Sequence, residues 1–298
     1  MLFKNKYISL LVASLMLIST EATAAETLKV YYPYSPSAAI DLSVRRAATL
    51  VNTGTNDNIV VVPASGSGGI VALNMMIADK NNSALIIGNG LLTATHIDIS
   101  NELKLVSFHG IEPTLIAVNS NSSYGLIKDL YARAKTNEIY YGSSGVGSYG
   151  HYSSSIIANN NNKIVHVPYK NTSAALLDLL SSRLDFLVMD QNLAAPMITA
   201  GKIRIIAVNY NTRLSKFPEV STLKEQNIDN LNFYRWEAIF AHRQNNSKIL
   251  LKLSNALNDP IIRSEADSRG VHYPDDINLS TFISDQIKIF DNVKKFVQ

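Results

Sequence analysis

The 298-residue chain has no cysteine and a single tryptophan. Without cysteine there is no disulfide framework, no thiolate zinc site, no iron–sulfur cluster and no cysteine nucleophile. Any chemistry has to come from oxygen and nitrogen groups. Charge of one sign is missing too: 27 Lys+Arg stand against 24 Asp+Glu, a formal net charge of +3. The basic residues are scattered, and none of their runs reaches the five or more of a nucleic-acid patch. After residue 24 no segment approaches the roughly 18 apolar residues of a membrane helix. What is present is ordinary for a globular protein, 46% hydrophobic residues, over a length that suits about two domains.

The first 24 residues read as an export signal. Lys4 and Lys6 precede the apolar run Ile8 to Ile18, and the small residues of Glu-Ala-Thr-Ala-Ala follow. This is the layout of a secretory signal peptide, with cleavage expected near Ala24 or Ala25. Its removal takes Lys4, Lys6 and Glu21 and leaves a nearly neutral mature chain. With no cysteine there is no lipid attachment through that residue. A soluble, exported product is expected.

From Leu28 short β-rich runs alternate with helix-period segments, the pattern of βαβ units around a mainly parallel sheet. The predicted strands are Leu28 to Tyr32, Ile59 to Val62, Ala84 to Ile87, Thr114 to Val118, Ile139 to Tyr141, Ile164 to Val167, Phe186 to Met189 and Ile203 to Val208. Ile40, Val44, Ala47, Ala48 and Val51 share one helical face. A second helix is predicted from about Ser173 to Ser182. Ser247 is expected to cap a third carrying Ile249, Leu250, Leu253, Ala256 and Leu257. Asp259-Pro260 ends that helix or starts the next, and Asn159 to Asn162 reads as a surface connection.

Gly145-Val146-Gly147-Ser148-Tyr149-Gly150 matches the dinucleotide fingerprint G-x-G-x-x-G. The pattern also needs an acidic residue about 20 positions on, and the next strand here ends in Pro168-Tyr169-Lys170, so no cofactor is expected. What survives is a glycine- and serine-rich turn at a helix N-terminus, which favours an anion, a carboxylate above all. Tyr34-Ser35-Pro36-Ser37-Ala38-Ala39, Ser65-Gly66-Ser67-Gly68-Gly69 and Gly88-Asn89-Gly90 have the same character. All follow the carboxyl ends of strands, where open α/β sheets bind ligands. Catalytic signatures are weak: Gly142-Ser143-Ser144-Gly145 lacks the spacing of a nucleophile elbow. Ser221 to Lys224 fits S-x-x-K, but Thr222 with Glu225 makes a capping box. The six histidines show no metal-ligand spacing, and His166 reads as a strand residue with a local hydrogen bond.

Residues 141 to 192 resemble the Bug-type extracytoplasmic solute receptors, the TctC-like substrate-binding components of tripartite tricarboxylate transporters. The stretch contains YGSSGVGSYGH and then IVHVPYKNTSAALLDLLSSRLDFLVMD, supported by Ala200-Gly201-Lys202-Ile203-Arg204 and by Arg213 with Phe217 to Thr222. The resemblance implies an α/β, two-lobed Venus-flytrap fold, each lobe a mainly parallel sheet flanked by helices. It places lobe one at residues 26–119 plus 232–298, lobe two at 120–231, and the hinge near Asn119 and Leu231. It further implies a periplasmic, monomeric receptor of a Gram-negative bacterium that delivers a small carboxylate to membrane permease subunits. By the same resemblance the solute is held by Tyr34 to Asp41, by Ser143, Ser144, Gly147 and Ser148, and by Ser67 and Gly68, with Asp190 after a lobe-two strand. Asn89 joins them from the loop chemistry. Asp41 and Asp190 either contact an amino group on the ligand or cap local structure.

The chain departs from the family where Pro36-Ser37-Ala38 replaces P-G-G, which adds bulk and removes left-handed freedom, and where Asn101 to Val106 replaces a longer segment. Two other readings stand beside transport: a ligand-sensing module docked on a signalling protein, and a secreted hydrolase using Ser144 with His151.

Overall fold

The computed structural model describes residues 25–33, 39–65, 69–89, 91, 99–229, 232–273 and 278–297. The expected export signal and the expected hinge residue Leu231 lie outside them. Among the described residues the strands are β1 (Thr27–Tyr32), β2 (Asn58–Pro63), β3 (Ser83–Gly88), β4 (Leu103–Glu112), β5 (Thr114–Asn119), β6 (Ile139–Ser143), β7 (Ile164–Pro168), β8 (Phe186–Asp190), β9 (Ile203–Asn209) and β10 (Arg235–His242). The helices are α1 (Ala39–Gly54), α2 (Ile70–Ala78), α3 (Ile99–Glu102), α4 (Ile127–Ala134), α5 (Tyr149–Ala158), α6 (Thr172–Leu180), α7 (Gln191–Thr199), α8 (Lys248–Leu257), α9 (Pro260–Ser268) and α10 (Leu279–Val293).

The strands form two five-stranded sheets of matching plan, β2-β1-β3-β10-β4 and β7-β6-β8-β5-β9. In the first, β1 pairs parallel with β2 and β3; in the second, β6 pairs parallel with β7 and β8. The fourth strand of each, β10 or β5, runs antiparallel to both its neighbours. Four strands of every sheet therefore point one way, and the reversed strand is the segment that has just crossed from the other sheet. All eight predicted strands are present. The expectation that residues 114–119 belong to lobe one is not met in the pairing: Thr114 opens β5 opposite Asp190 of β8 and Asn209 of β9. Only Pro113 separates β4 from β5, so the chain crosses between sheets in a single residue.

Burial explains the elements. Every residue of β3 and β5 is buried, as strands covered by helices on both faces must be. The α1 stripe of Ile40, Val44, Ala47, Ala48 and Val51 packs with Leu28, Val30, Ile249 and Leu253 in one core of the first sheet. Each large apolar side chain so buried is worth about 1.5–3 kcal/mol. Asp259 caps α9, accepting from the Ile261 N–H at 2.8 Å, with Pro260 in its first turn. Ser247 sits at the start of α8 as expected, but its hydroxyl donates to Asn245 Oδ1 at 2.6 Å, and the helix is capped instead by Glu26, whose Oε2 accepts the Ile249 N–H at 2.7 Å. Asn159 and Asn160 take left-handed conformations, φ 50° and 57°, in the connection to β7. The Thr222–Glu225 capping box closes reciprocally, at 2.8 and 3.1 Å.

The C-terminal helix spans both halves. Phe282 lies against Trp236 and Phe108 beside the first sheet. At the other end Val293 clusters with Tyr152 and Ile156 of α5 and with Phe233. No described helix is long and apolar enough to cross a membrane.

Candidate functional site

At the carboxyl edge of the first sheet, Tyr34, Ser35, Ser37, Ala38, Ser67 and Gly68 fall outside the described residues, and Ala39 opens α1. Gly69, at φ 103°, starts α2 so close to its neighbours that a Cβ would lie 2.9 Å from Leu91 and 3.4 Å from Pro33. The ends of β1, β2 and β3 thus converge at one corner. Asn89 is buried there, and its Oδ1 accepts the Trp236 N–H at 3.0 Å. Asp41 is buried in the first turn of α1, with Arg45 Nε at 2.9 Å, an i,i+4 pair that also suits the helix dipole.

The turn from β6 to α5 is the best-built feature. Gly145 and Gly147 adopt φ 114° and 79°, conformations that cost a residue with a Cβ about 1–2 kcal/mol. Ser148 caps α5 by accepting the His151 N–H at 3.3 Å. Ser144 is exposed, whereas Ser143 is 1% exposed. The Ser143 hydroxyl lies 2.7 Å from His166 Nε2, donates to the Gly145 carbonyl at 3.0 Å and accepts the Gly145 N–H at 3.2 Å. It builds the turn from within. Gly147 N–H donates to His151 Nδ1 at 3.1 Å, so that ring carries its proton on Nε2. The rings of His151 and His166 stack with centroids 3.8 Å apart. Burial, and then the neighbouring ring of His151, lowers the His166 pKa to about 4; burial lowers that of His151.

This arrangement differs from the Ser144–His151 pair of the hydrolase reading. The histidine against a serine is His166, on a hydroxyl sealed from solvent, and His151 Nδ1 is occupied by backbone.

Between the sheets stands a group that the sequence did not announce. Arg235, the first residue of β10, places Nε 3.2 Å from Glu112 at the end of β4, Nη2 3.5 Å from Glu237, and Nη1 3.8 Å from Asp190. Asp190 also caps α7, accepting the Leu193 N–H at 2.9 Å, so it takes the local one of its two expected roles and reaches the opposite sheet as well. Burial first, and then the neighbouring Glu112, pushes the Glu237 pKa up to about 8; burial also raises that of Glu112. The missing signal was strand register: Arg235 and Glu112 are directly paired residues of β10 and β4, and neither strand was predicted.

The carboxyl edges of the two sheets therefore meet at Arg235 and Asp190, and the turn of Gly145 and Gly147 follows β6 in the second. β6 lies beside β8, so the donor-rich turn of α5 and the acidic cap of α7 are neighbours. One side suits a carboxylate; the other already carries the chain's own.

Two mixed sheets joined by crossing strands, with turns gathered where they meet, define a two-lobed solute-binding fold. The chain belongs to the tripartite tricarboxylate transporter family receptors, whose family model matches residues 44–295. The Bordetella pertussis protein BugT is 20% identical over 257 residues, 82% of this chain and 79% of its own. MatC from Rhodopseudomonas palustris, solved with bound malate, superposes with a TM-score of 0.74 at 16% identity, covering 92% of this chain and 100% of MatC. A second R. palustris protein, solved with adipate, gives 0.74 at 21% identity, covering 92% of this chain and 98% of its own.

Proposed function

We propose that this chain is a periplasmic receptor, without catalysis, that closes two lobes over a small organic carboxylate and delivers it as a monomer to membrane permease subunits of a tripartite tricarboxylate-type transporter. The carrying observation is the β6–α5 turn, where two left-handed glycines and the Ser148 cap set a helix N-terminus, with Ser144 exposed, beside the meeting line of the sheets. Malate and adipate in structurally similar proteins support a carboxylate as the solute. In this reading residues 1–24 are the export signal, lobe one runs to Glu112 and resumes at Arg235, and lobe two comprises the segment between. Ser144, Gly147 and Ser148 approach the solute from lobe two; Asn89, Asp41 and the turns after β1 and β2 approach from lobe one.

Thermal denaturation of the mature chain with malate, adipate and other di- and tricarboxylates tests the proposal. A solute at 100 times its Kd stabilises by about 2.7 kcal/mol, which at about 2–4 °C per kcal/mol raises Tm by roughly 5–10 °C. Replacing Ser143 and Ser148 together by alanine is expected to remove that shift. A Tm unmoved by every carboxylate would sink the reading.

A further inference from the structure

The histidine pair under the glycine turn holds a backbone donor that an anion would need. Gly147 N–H points at His151 Nδ1, 3.1 Å away. His151 stacks on His166 at 3.8 Å and 20°, and His166 is tied through Ser143 to the other half of the same turn. Two imidazoles in face-to-face contact cannot both be charged. His166 has its Nε2 committed to the Ser143 hydroxyl, whereas His151 uses only a lone pair toward the turn. The titratable groups facing the stack are few: Tyr141 of β6 stacks on His166 at 5.1 Å, and Tyr152 of α5 lies 5.9 Å from His151. Both tyrosines are themselves held neutral by burial.

We infer that carboxylate capture is coupled to protonation of His151: the arriving carboxylate takes the Gly147 N–H, and the released Nδ1 takes up one proton from solvent. At this turn one carboxylate and one proton enter together, and a dicarboxylate keeps its second negative charge. The inference rests on the receptor reading and adds to it a specific proton carrier. Its sign follows from Coulomb's law. An anion within about 4–6 Å favours the imidazolium, so the ring holds a proton more firmly with solute than without it. Between the free and bound pKa values each pH unit downward then tightens binding up to about tenfold.

The test is calorimetric titration of the mature protein with adipate from pH 6 to 8, in buffers of different ionisation enthalpy, with ring ¹⁵N NMR of the free and adipate-saturated states. We expect close to one proton taken up per adipate, a Kd that rises as pH rises, and a His151 signal that moves from the neutral Nε2–H form to imidazolium. His151→Gln should lose the proton uptake and flatten the pH profile. Should that variant fail to fold, the NMR of the unmodified protein still decides. Adipate binding with His151 neutral and no proton uptake overturns this inference and leaves the receptor reading standing. No binding of adipate or of the other carboxylates at any pH removes both.

Discussion

Glu237 shows what a buried acid costs and what it reports. It is 3% exposed, shares Arg235 with Glu112 and Asp190, and among the described residues its Oε2 meets no hydrogen-bond partner. One guanidinium among three carboxylates cannot compensate them all, so the acid that is most buried keeps its proton. The unfolded chain releases that proton near pH 4.5 and the folded one at about 8. Between these values the folded state binds more protons, and stability from this residue falls as pH rises. Glu237→Gln keeps the shape and removes the titration. We expect it to match the parent near pH 5 and to exceed it by about 1–3 kcal/mol at pH 8.5, judged from the cost of an unpaired buried polar group, and read by urea denaturation at the two pH values. A glutamine variant no more stable than the parent at pH 8.5 contradicts this account. At this scale the sequence was legible where a residue acts on its own neighbours. Thr222 with Glu225 was readable, and the cap over α7 was one of the two roles open to Asp190, whereas the bond of His166 runs 23 residues back to Ser143. Arg235 was not readable, because Glu112 and Asp190 come from 45 or more residues away and only Glu237 lies near it in sequence.

Elements were legible in proportion to how simply they are buried. The predicted strands are mainly apolar runs, buried throughout in β3 and β5, whereas β4 and β10 interrupt theirs with His109, Glu112, Arg235 and Glu237 and also carry bulges. Those interruptions are the charged junction itself, so the strands that build it were the ones concealed. α5 was legible at its start, after the glycine turn, but its length was obscure for the opposite reason. Everything from His151 to Ala158 is buried, which erases the one-sided stripe by which a surface helix is recognised, and Ser155 turns inward, between the His151 carbonyl and the Tyr141 hydroxyl. The β6–α6 packing is equally close. A Cβ on Gly142 would stand 2.6 Å from Leu184 and 2.9 Å from Ala175, whereas one on Gly147 meets nothing within 4 Å. Gly142→Ala should therefore overpack lobe two and cost about 1–3 kcal/mol. Gly147→Ala should cost about 1–2 kcal/mol through its left-handed backbone alone, yet weaken carboxylate binding more than Gly142→Ala does. Urea melts with adipate titrations compare them, and equal binding losses in the two variants would contradict the assignment of the turn.

For the molecule as a whole, two sets of buried groups pull stability in opposite directions with pH. His109, lowered to about 3, and His166, lowered to about 4, stay neutral in the fold, as do His151 and His272, whose pKa values burial also lowers. The unfolded chain protonates all four near pH 6.5, so stability falls as pH drops below that value. Glu237 and Glu112 act with the other sign and take stability away as pH rises toward 8. Thermal melts across pH 4 to 9 should peak between about pH 5 and 7 and decline on both sides; a Tm still climbing at pH 8.5 would contradict the assignment of the upper limb. The two-lobed plan was legible from family resemblance alone; the βα alternation pointed only to mainly parallel sheets. The crossing point was not, because a one-residue passage from β4 to β5 leaves no linker composition to read.

The tail of the chain carries a mechanical implication. Phe282 is embedded beside the first sheet and Val293 is fully buried against α5 of the second lobe, so α10 behaves as a tendon anchored in two bodies. Dispersion contacts fade within an ångström or so of separation. The lobes can therefore part only as far as this tendon rolls before one anchor slips. In the receptor reading this helix sets the stroke between the lobes, and shortening the tail is expected to lengthen it.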